Sequence, residues 1–147
     1  MRAVFALTLL LVAGCSGDGP TASDPSTLNG TWSASFTNLG GSGISCSTTT
    51  VTATLTTSGN TFTGNYGSGT MTCAAAGQSE SAPIPGGVIV NGTINGNAVT
   101  FDLDTPDLHQ TGTLSGNSMS GTAVWRADLG PPYGVITLTG SWSATKQ

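Results

Sequence analysis

The stretch TTSGNTFTG, residues 56–64, places a Gly-Asn pair between two segments in which apolar and polar residues alternate. The same pair occupies the same place in TINGNAVTF, residues 93–101, and in TLSGNSMSG, residues 113–121. Gly readily adopts the positive φ that a two-residue type I′ or II′ turn requires, and Asn tolerates the second position. Each stretch therefore predicts one tight β-hairpin.

A two-residue turn fixes which residues of the two strands face each other. In the first hairpin, Leu55 falls opposite Gly64 and Ala53 opposite Tyr66. In the other two hairpins the facing pairs are Ile94–Val99, Gly92–Phe101, Val90–Leu103, Leu114–Met119, Gly112–Gly121 and Leu108–Trp125. All three registers gather apolar residues and glycines on one face, and a slip by one residue would break every match.

The chain from residue 29 onward alternates apolar and polar residues without a sustained helical period, which is typical of strands. The pattern predicts eight strands, at 29–37, 46–58, 61–73, 87–95, 98–104, 108–115, 118–126 and 134–144. The remaining connections, 38–45, 74–86, 105–107 and 128–134, are longer and fall at the end opposite the tight turns. This layout predicts an all-β, eight-stranded antiparallel up-and-down barrel with a mouth at one end. A β-sandwich is the alternative.

Five glycines fall on the predicted inward faces of the strands, in phase with apolar neighbours: Gly64, Gly92, Gly112, Gly121 and Gly140. Glycine weakens a strand, but it is tolerated where a sheet bends sharply or where backbones approach closely. Glycines at these positions favour a small, strongly coiled sheet that closes on itself over a flat sandwich.

The N-terminus carries Arg2, an apolar run from Ala3 to Ala13 and then small residues before Cys15. The run is too short for a permanent membrane span and is typical of an export signal. Val12-Ala13-Gly14-Cys15 resembles the bacterial lipobox. That resemblance implies cleavage before Cys15, acylation of Cys15 with chains such as palmitate and, because Ser16 follows, transfer to the outer membrane. An ordinary secretory signal with an incidental cysteine is the alternative.

Composition then divides the chain into three parts. Residues 1–14 are the predicted lipoprotein signal peptide, and residues 15–27 are the lipidated Cys15 with a flexible tether of Gly, Pro, Ser, Thr and Asp, which has no apolar pattern with which to bury a core. Residues 28–147 are long enough for one domain, the predicted β-barrel.

The two remaining cysteines are predicted to form a disulfide. Continuing the register of the first hairpin outward brings Cys46 opposite Cys73. Cross-strand neighbours lie about 4.5–5.5 Å apart, which is within disulfide range, and an exported protein folds in an oxidising compartment. Two free thiols are the alternative.

Charge and motifs exclude several classes of function. Without the signal, only Arg126 and Lys146 stand against seven acidic residues, which argues against nucleic acid as a partner.

His109 is the single histidine and lies near Asp102, Asp104 and Asp107 in DLDTPDLH. A divalent-metal site there is the less favoured interpretation, because alternation turns His109 outward. The chain has no Gly-x-Ser-x-Gly elbow, so we expect a non-enzyme with no metal and no cofactor.

Gly30-Thr31-Trp32, at the start of the first strand, resembles the Gly-x-Trp of the calycin superfamily, which includes the lipocalins and avidins. The resemblance covers these three residues and the eight-strand pattern. It implies a barrel related to ligand carriers. Lipocalins usually pair this tryptophan with a basic residue on the last strand, but the last strand here, ITLTGSWSATK at 136–146, has no Arg, and Arg126 lies on the seventh predicted strand.

Inward aromatic residues define the candidate site. Trp32 and Trp142 are predicted to plug the closed end. The candidate ligand-binding residues, inward toward the middle or the mouth, are Phe36, Tyr66, Phe101, Gln110 and Trp125. An eight-stranded barrel is filled by side chains or holds one small ligand.

We therefore expect a lipid-anchored, lipocalin-like envelope protein that binds a small apolar ligand or an envelope partner at its mouth. One alternative resembles the small periplasmic barrels that inhibit metalloproteases, in which the chain before the barrel, here Ser16 to Thr27, blocks the protease. The other alternative is a structural envelope lipoprotein without a ligand.

Overall fold

A computed structural model describes residues 24–104, 107–128 and 134–147, without the side chains of residues 127 and 128. The predicted signal peptide 1–14, Cys15 and the tether as far as residue 23 lie outside the described residues. A short 3-10 helix, Pro25–Leu28, precedes eleven strands: β1 (Gly30–Gly41), β2 (Ile44–Thr48), β3 (Val51–Ser58), β4 (Thr61–Tyr66), β5 (Gly69–Ala75), β6 (Gln78–Ile84), β7 (Gly87–Asn95), β8 (Ala98–Leu103), β9 (Leu108–Ser115), β10 (Ser118–Asp128) and β11 (Val135–Lys146).

Eight of these strands form a closed barrel. Their order is β1-β3-β4-β7-β8-β9-β10-β11, and β11 pairs with β1 to close the ring. Every neighbouring pair is antiparallel. The predicted all-β, eight-stranded antiparallel barrel is confirmed.

The Gly-Asn turns are the three tight hairpins of the closed end. Gly59, Gly96 and Gly116 have φ of 58–59°, whereas the asparagines that follow them do not have positive φ. This combination is the pattern of a type II′ turn. The predicted registers of the first and third hairpins are confirmed, from Ser58–Thr61 to Ala53–Tyr66 and from Ser115–Ser118 to Leu108–Trp125.

The second hairpin departs from its predicted register. Ile94 pairs with Val99 as expected, but the register shifts between Val90 and Thr93, where Asn91 has φ 54°. Beyond this bulge Ile89, not Val90, lies opposite Leu103, so the predicted Val90–Leu103 pair is wrong. A bulge places one extra residue in its strand and thereby reverses which side chains point inward. Ile89 is accordingly buried and Val90 only half-buried.

Three strands continue the sheet above the barrel and are called the extension: β2, β5 and β6. The predicted strand 46–58 is β2 and β3 with a break at 49–50, and the predicted strand 61–73 is β4 and β5 with a break at 67–68. Registers do not change across these breaks, because Ala53 opposes Tyr66 below and Cys46 opposes Cys73 above. Strands β2 and β5 are therefore the upward continuation of β3 and β4, and β6 is added at the edge of β5.

Two connections predicted to be long loops are tight hairpins. Residues 38–45 hold the end of β1, a turn at Ser42-Gly43 and the start of β2, while residues 74–86 hold a turn at Ala76-Gly77 and all of β6. Both residues of each turn have positive φ, between 49° and 80°, which is the pattern of a type I′ turn. The mouth therefore carries a raised sheet in place of the loops at 38–45 and 74–86.

The closed end is sealed as predicted for Trp32. Its side chain is 1% exposed, and its Nε1 donates to the Leu28 carbonyl at 2.8 Å. Leu28, the last residue of the 3-10 helix, is fully buried. Lys146, at the end of β11, places its Nζ 5.9 Å from the centre of the Trp32 ring. A lysine of the last strand, a strand that has no Arg, therefore lies against the Trp32 ring.

The facing glycines of β9 and β10 allow close backbone approach. Gly112 lies opposite Gly121, and a Cβ on Gly121 would lie 2.5 Å from the Gly112 Cα and against the Thr111 carbonyl oxygen. A Cβ on Gly112 would lie 2.7 Å from the Trp142 ring, whose Nε1 donates to the Thr111 carbonyl at 3.1 Å. These glycines therefore leave the space that the inward Trp142 occupies.

Candidate functional site

The barrel interior is almost filled by aromatic side chains. Phe101 packs edge-on against Trp142 and Phe62, with ring centres 5.1 and 5.7 Å apart. The remaining cavity has a volume of about 40 Å³, and its lining includes Phe36 and Tyr66 together with Phe101 and Trp142. Sites for drug-sized ligands typically enclose about 300–1,000 Å³. The interior of this conformation therefore has room for only a few water-sized groups.

The extension covers the top of this interior. A second cavity, of about 20 Å³, lies between Phe36 and Tyr66 of the barrel and Met71 and Ile84 of the extension. Met71 is 9% exposed and belongs to the buried core, against which Ile84 packs. Met71 of β5 and Ile84 of β6 are thus turned toward the barrel axis.

A groove at the mouth has a volume of about 220 Å³. It is bounded on one side by the half-buried Trp125 of β10. On the other side are residues of β5 and β6: Met71, Cys73, Glu80, Ser81 and Ala82. We call this space the mouth groove. It combines an aromatic ring, apolar side chains and one carboxylate, which suits a small apolar group with a polar or basic end.

A disulfide fixes one wall of the mouth groove. Cys46 of β2 and Cys73 of β5 are directly paired across the ladder, with a Cα–Cα distance of 4.0 Å and an S–S bond of 2.07 Å. The predicted disulfide is confirmed. Cys46 is buried, whereas Cys73 is half-buried and lines the groove. The bond therefore ties the lining of the groove to the core side of the extension.

Gln110 is a fully buried polar side chain on β9. With its amide oriented to satisfy its surroundings, Nε2 donates to the Phe101 carbonyl at 2.8 Å and to the Leu108 carbonyl at 3.1 Å. Burial without such bonds would cost about 1–3 kcal/mol. The side-chain N–H groups of Gln110 are therefore engaged by the carbonyls of Phe101 and Leu108. Gln110 lines neither the mouth groove nor the two interior cavities.

A polar cluster lies on the outer face of β7, β8 and β9. His109 Nδ1 lies 2.6 Å from Asp102 Oδ1, and Asn91 Nδ2 donates to Asp102 Oδ2 at 2.8 Å. The pKa of Asp102 lies below its ordinary value, chiefly because of the Asn91 hydrogen bond and further because of His109, while partial burial opposes the change. The His109 side chain is exposed, as alternation predicts. Within residues 24–104, 107–128 and 134–147, no three potential metal ligands cluster.

The structure separates the five candidate residues. The interior cavity is lined by Phe36, Tyr66 and Phe101. Trp125 lines the mouth groove instead, and Gln110 is buried against backbone carbonyls of the barrel strands. The sequence reasoning missed the residues of β5 and β6 that face Trp125. The Ala76-Gly77 pair could have indicated these residues. A two-residue turn at this pair folds β6 back on β5 and sets the ladder from Ala75–Gln78 to Gly69–Ile84.

Comparison with protein-family models, with curated proteins and with solved structures finds no match to this chain. Across the described parts of the chain, no helix has the length and apolar character that a bilayer span needs. The closed eight-stranded antiparallel barrel is compatible with a calycin-like fold.

Proposed function

We propose that this protein is an exported, lipid-anchored, non-catalytic barrel of the bacterial cell envelope that binds a small apolar ligand in the mouth groove. The anchor is Cys15 of the lipobox-like segment, and Ser16 favours the outer membrane as its location. The same groove could receive an apolar side chain of an envelope protein, which is the second form of the proposal.

The observation that carries the proposal is the contrast between interior and mouth. The interior cavity holds about 40 Å³, whereas the mouth groove holds about 220 Å³. Trp125 is half-buried at the groove, although it lies opposite the buried Leu108 and Leu138 in its two ladders. A large aromatic side chain with one side left accessible is the usual anchor of a binding surface.

Rigidity supports the same assignment. The disulfide joins the two strands behind the groove, and Met71 packs into the core beneath it. A wall held in this way loses little conformational entropy when a ligand binds, which favours affinity. Glu80 supplies the one carboxylate in the lining, at the solvent side of the groove.

Native mass spectrometry of the domain purified from its own host tests the ligand. We expect a bound species that Trp125→Ala releases and that Phe101→Leu, a change in the interior, retains. The matched surface control is Val88→Ala, on an outer face where Val88 is 40% exposed. A bound species lost with Phe101→Leu and kept with Trp125→Ala would place the ligand inside the barrel and refute the groove.

The anchor has its own test. Cys15→Ser should move the protein from the membrane fraction to the soluble fraction, and the N-terminal peptide of the wild-type protein should carry the mass of acyl chains. A wild-type protein that stays soluble, with an unmodified Cys15, would contradict the anchored form of the proposal.

A further inference from the structure

The chain enters the barrel at its closed end and is fastened there. Lys146 Nζ donates to the Thr27 carbonyl at 2.7 Å, and Asn29 Oδ1 accepts from the Thr57 backbone N–H at 2.7 Å. Lys146 and Thr57 belong to the end of the barrel that carries the Gly-Asn turns, because the Lys146 N–H donates to the Asn117 carbonyl at 2.9 Å and Thr57 precedes the first turn. The buried Leu28 reinforces these contacts, so the position of residues 24–29 is set by the closed end.

The distance between this attachment and the proposed anchor is short. Asp24 lies nine peptide steps after Cys15, with eight residues between them. A fully extended chain of this length reaches about 30 Å. A flexible chain of the same length has a root-mean-square span of only about 17 Å.

The mouth lies farther away than that span. Strand β1 contains 12 residues and runs from the closed end to the extension. At about 3.3 Å per residue it is about 40 Å long, and a strand tilt near 40° leaves a height of about 30 Å along the barrel axis. Turning the mouth toward the bilayer would require the segment between Cys15 and Asp24 to be fully extended along the outside wall, at a large cost in chain entropy.

We propose that the closed end of the barrel faces the membrane and that the mouth groove faces away from it, toward the aqueous compartment. This inference rests on the proposed anchor at Cys15. It specifies the source of the small apolar ligand proposed for the groove: the ligand arrives from the aqueous compartment and is not a lipid taken from the anchoring bilayer. The Gly-Asn turns are then the surface nearest the lipid headgroups.

Photo-cross-linking on vesicles tests the orientation. The full lipidated chain is reconstituted into vesicles of phosphatidylethanolamine and phosphatidylglycerol that contain a traceable lipid. A benzophenone amino acid replaces Asn117 at the closed end or Gln78 at the tip of the extension, both of which are exposed. This label avoids added thiols that would compete with the Cys46–Cys73 bond. We expect lipid cross-linking from position 117 to exceed that from position 78 about tenfold.

Equal cross-linking from the two positions, or stronger cross-linking from 78, would overturn the inference. A matched variant with about twenty Gly and Ser residues inserted before Asp24 raises the flexible span to about 30 Å and should abolish the asymmetry. If the asymmetry survives this insertion, the short span does not set the orientation and the reasoning fails. Failure of the Cys15 anchor gives a different result, because the wild-type chain would then not float with the vesicles at all.

Discussion

Breaking the Cys46–Cys73 bond should cost the protein a large share of its stability. The two cysteines are separated by 27 residues, and the chain-entropy relation for a closed loop of that length gives about 3.5 kcal/mol at 25 °C. Domains of this size are typically stable by about 5–15 kcal/mol. Loss of the bond therefore removes roughly a quarter to two thirds of that free energy of unfolding.

The structure says where this effect should appear. Both cysteines lie in the extension, but β2 and β5 keep the registers of the barrel strands below them. A continuous ladder favours one cooperative unfolding step for barrel and extension together, so the loss should appear in global unfolding.

Urea titration followed by tryptophan fluorescence measures the effect, because Trp32 and Trp142 are buried in the core. The double variant Cys46→Ala, Cys73→Ala and the reduced wild-type protein should both unfold at about 1–3 M less urea than the oxidised protein. The reduced wild type serves as the control for the small void that the alanines leave. A loss below about 1 kcal/mol in both forms would refute the reasoning, since it would show that the extension opens independently of the barrel.

Three further outcomes are expected. Gly121→Ala should destabilise the domain by about 2 kcal/mol in urea titration, because the added Cβ would collide with the backbone of β9. Gly67→Ala is the control and should be nearly neutral, because a Cβ there would lie 3.5 Å from the nearest atom. Equal losses of stability in the two variants would contradict the steric argument. Ala76→Asn should raise the free energy of unfolding by about 0.5–1 kcal/mol, because Ala76 has φ 49° and Asn tolerates that region better; a loss of stability would count against the type I′ turn. The lowered pKa of Asp102 means that the folded state binds its proton less readily than the unfolded state, so this contribution to stability is present above the ordinary pKa near 4 and is lost as the pH falls further. Asp102→Asn should flatten the acid side of the stability curve, and so should Asn91→Ala to a smaller degree; an unchanged acid slope in Asp102→Asn would show that the pair contributes nothing.

The barrel was predictable because its decisive signals are local. A Gly-Asn pair fixes two facing strands, and the residues that face each other then confirm the choice. Cys46 and Cys73 could be paired for the same reason, because the register of a single hairpin reaches them. Each of these inferences needs only one turn and its two flanking segments.

The misplaced elements lack such signals. Strand β6 is exposed along Gln78 to Pro83, so no apolar alternation marks it. The apolar run from Val88 to Val90 is continuous, and it fits either register until the bulge at Asn91 decides between them. The mouth groove combines both difficulties, because Trp125 acquires its neighbours only once β5 and β6 rise above the barrel.

The extension also determines where the molecule can join other chains. The strands of the closed barrel have neighbours on both sides. Among the described residues, β6 is the edge strand of the sheet and pairs with β5 alone. Unpaired edges invite intermolecular pairing, and natural proteins blunt them with proline and charge. Pro83 and Glu80 both lie on this strand. Exchanging these two residues for β-branched ones would leave the barrel intact and expose a template for aggregation on one side of the mouth.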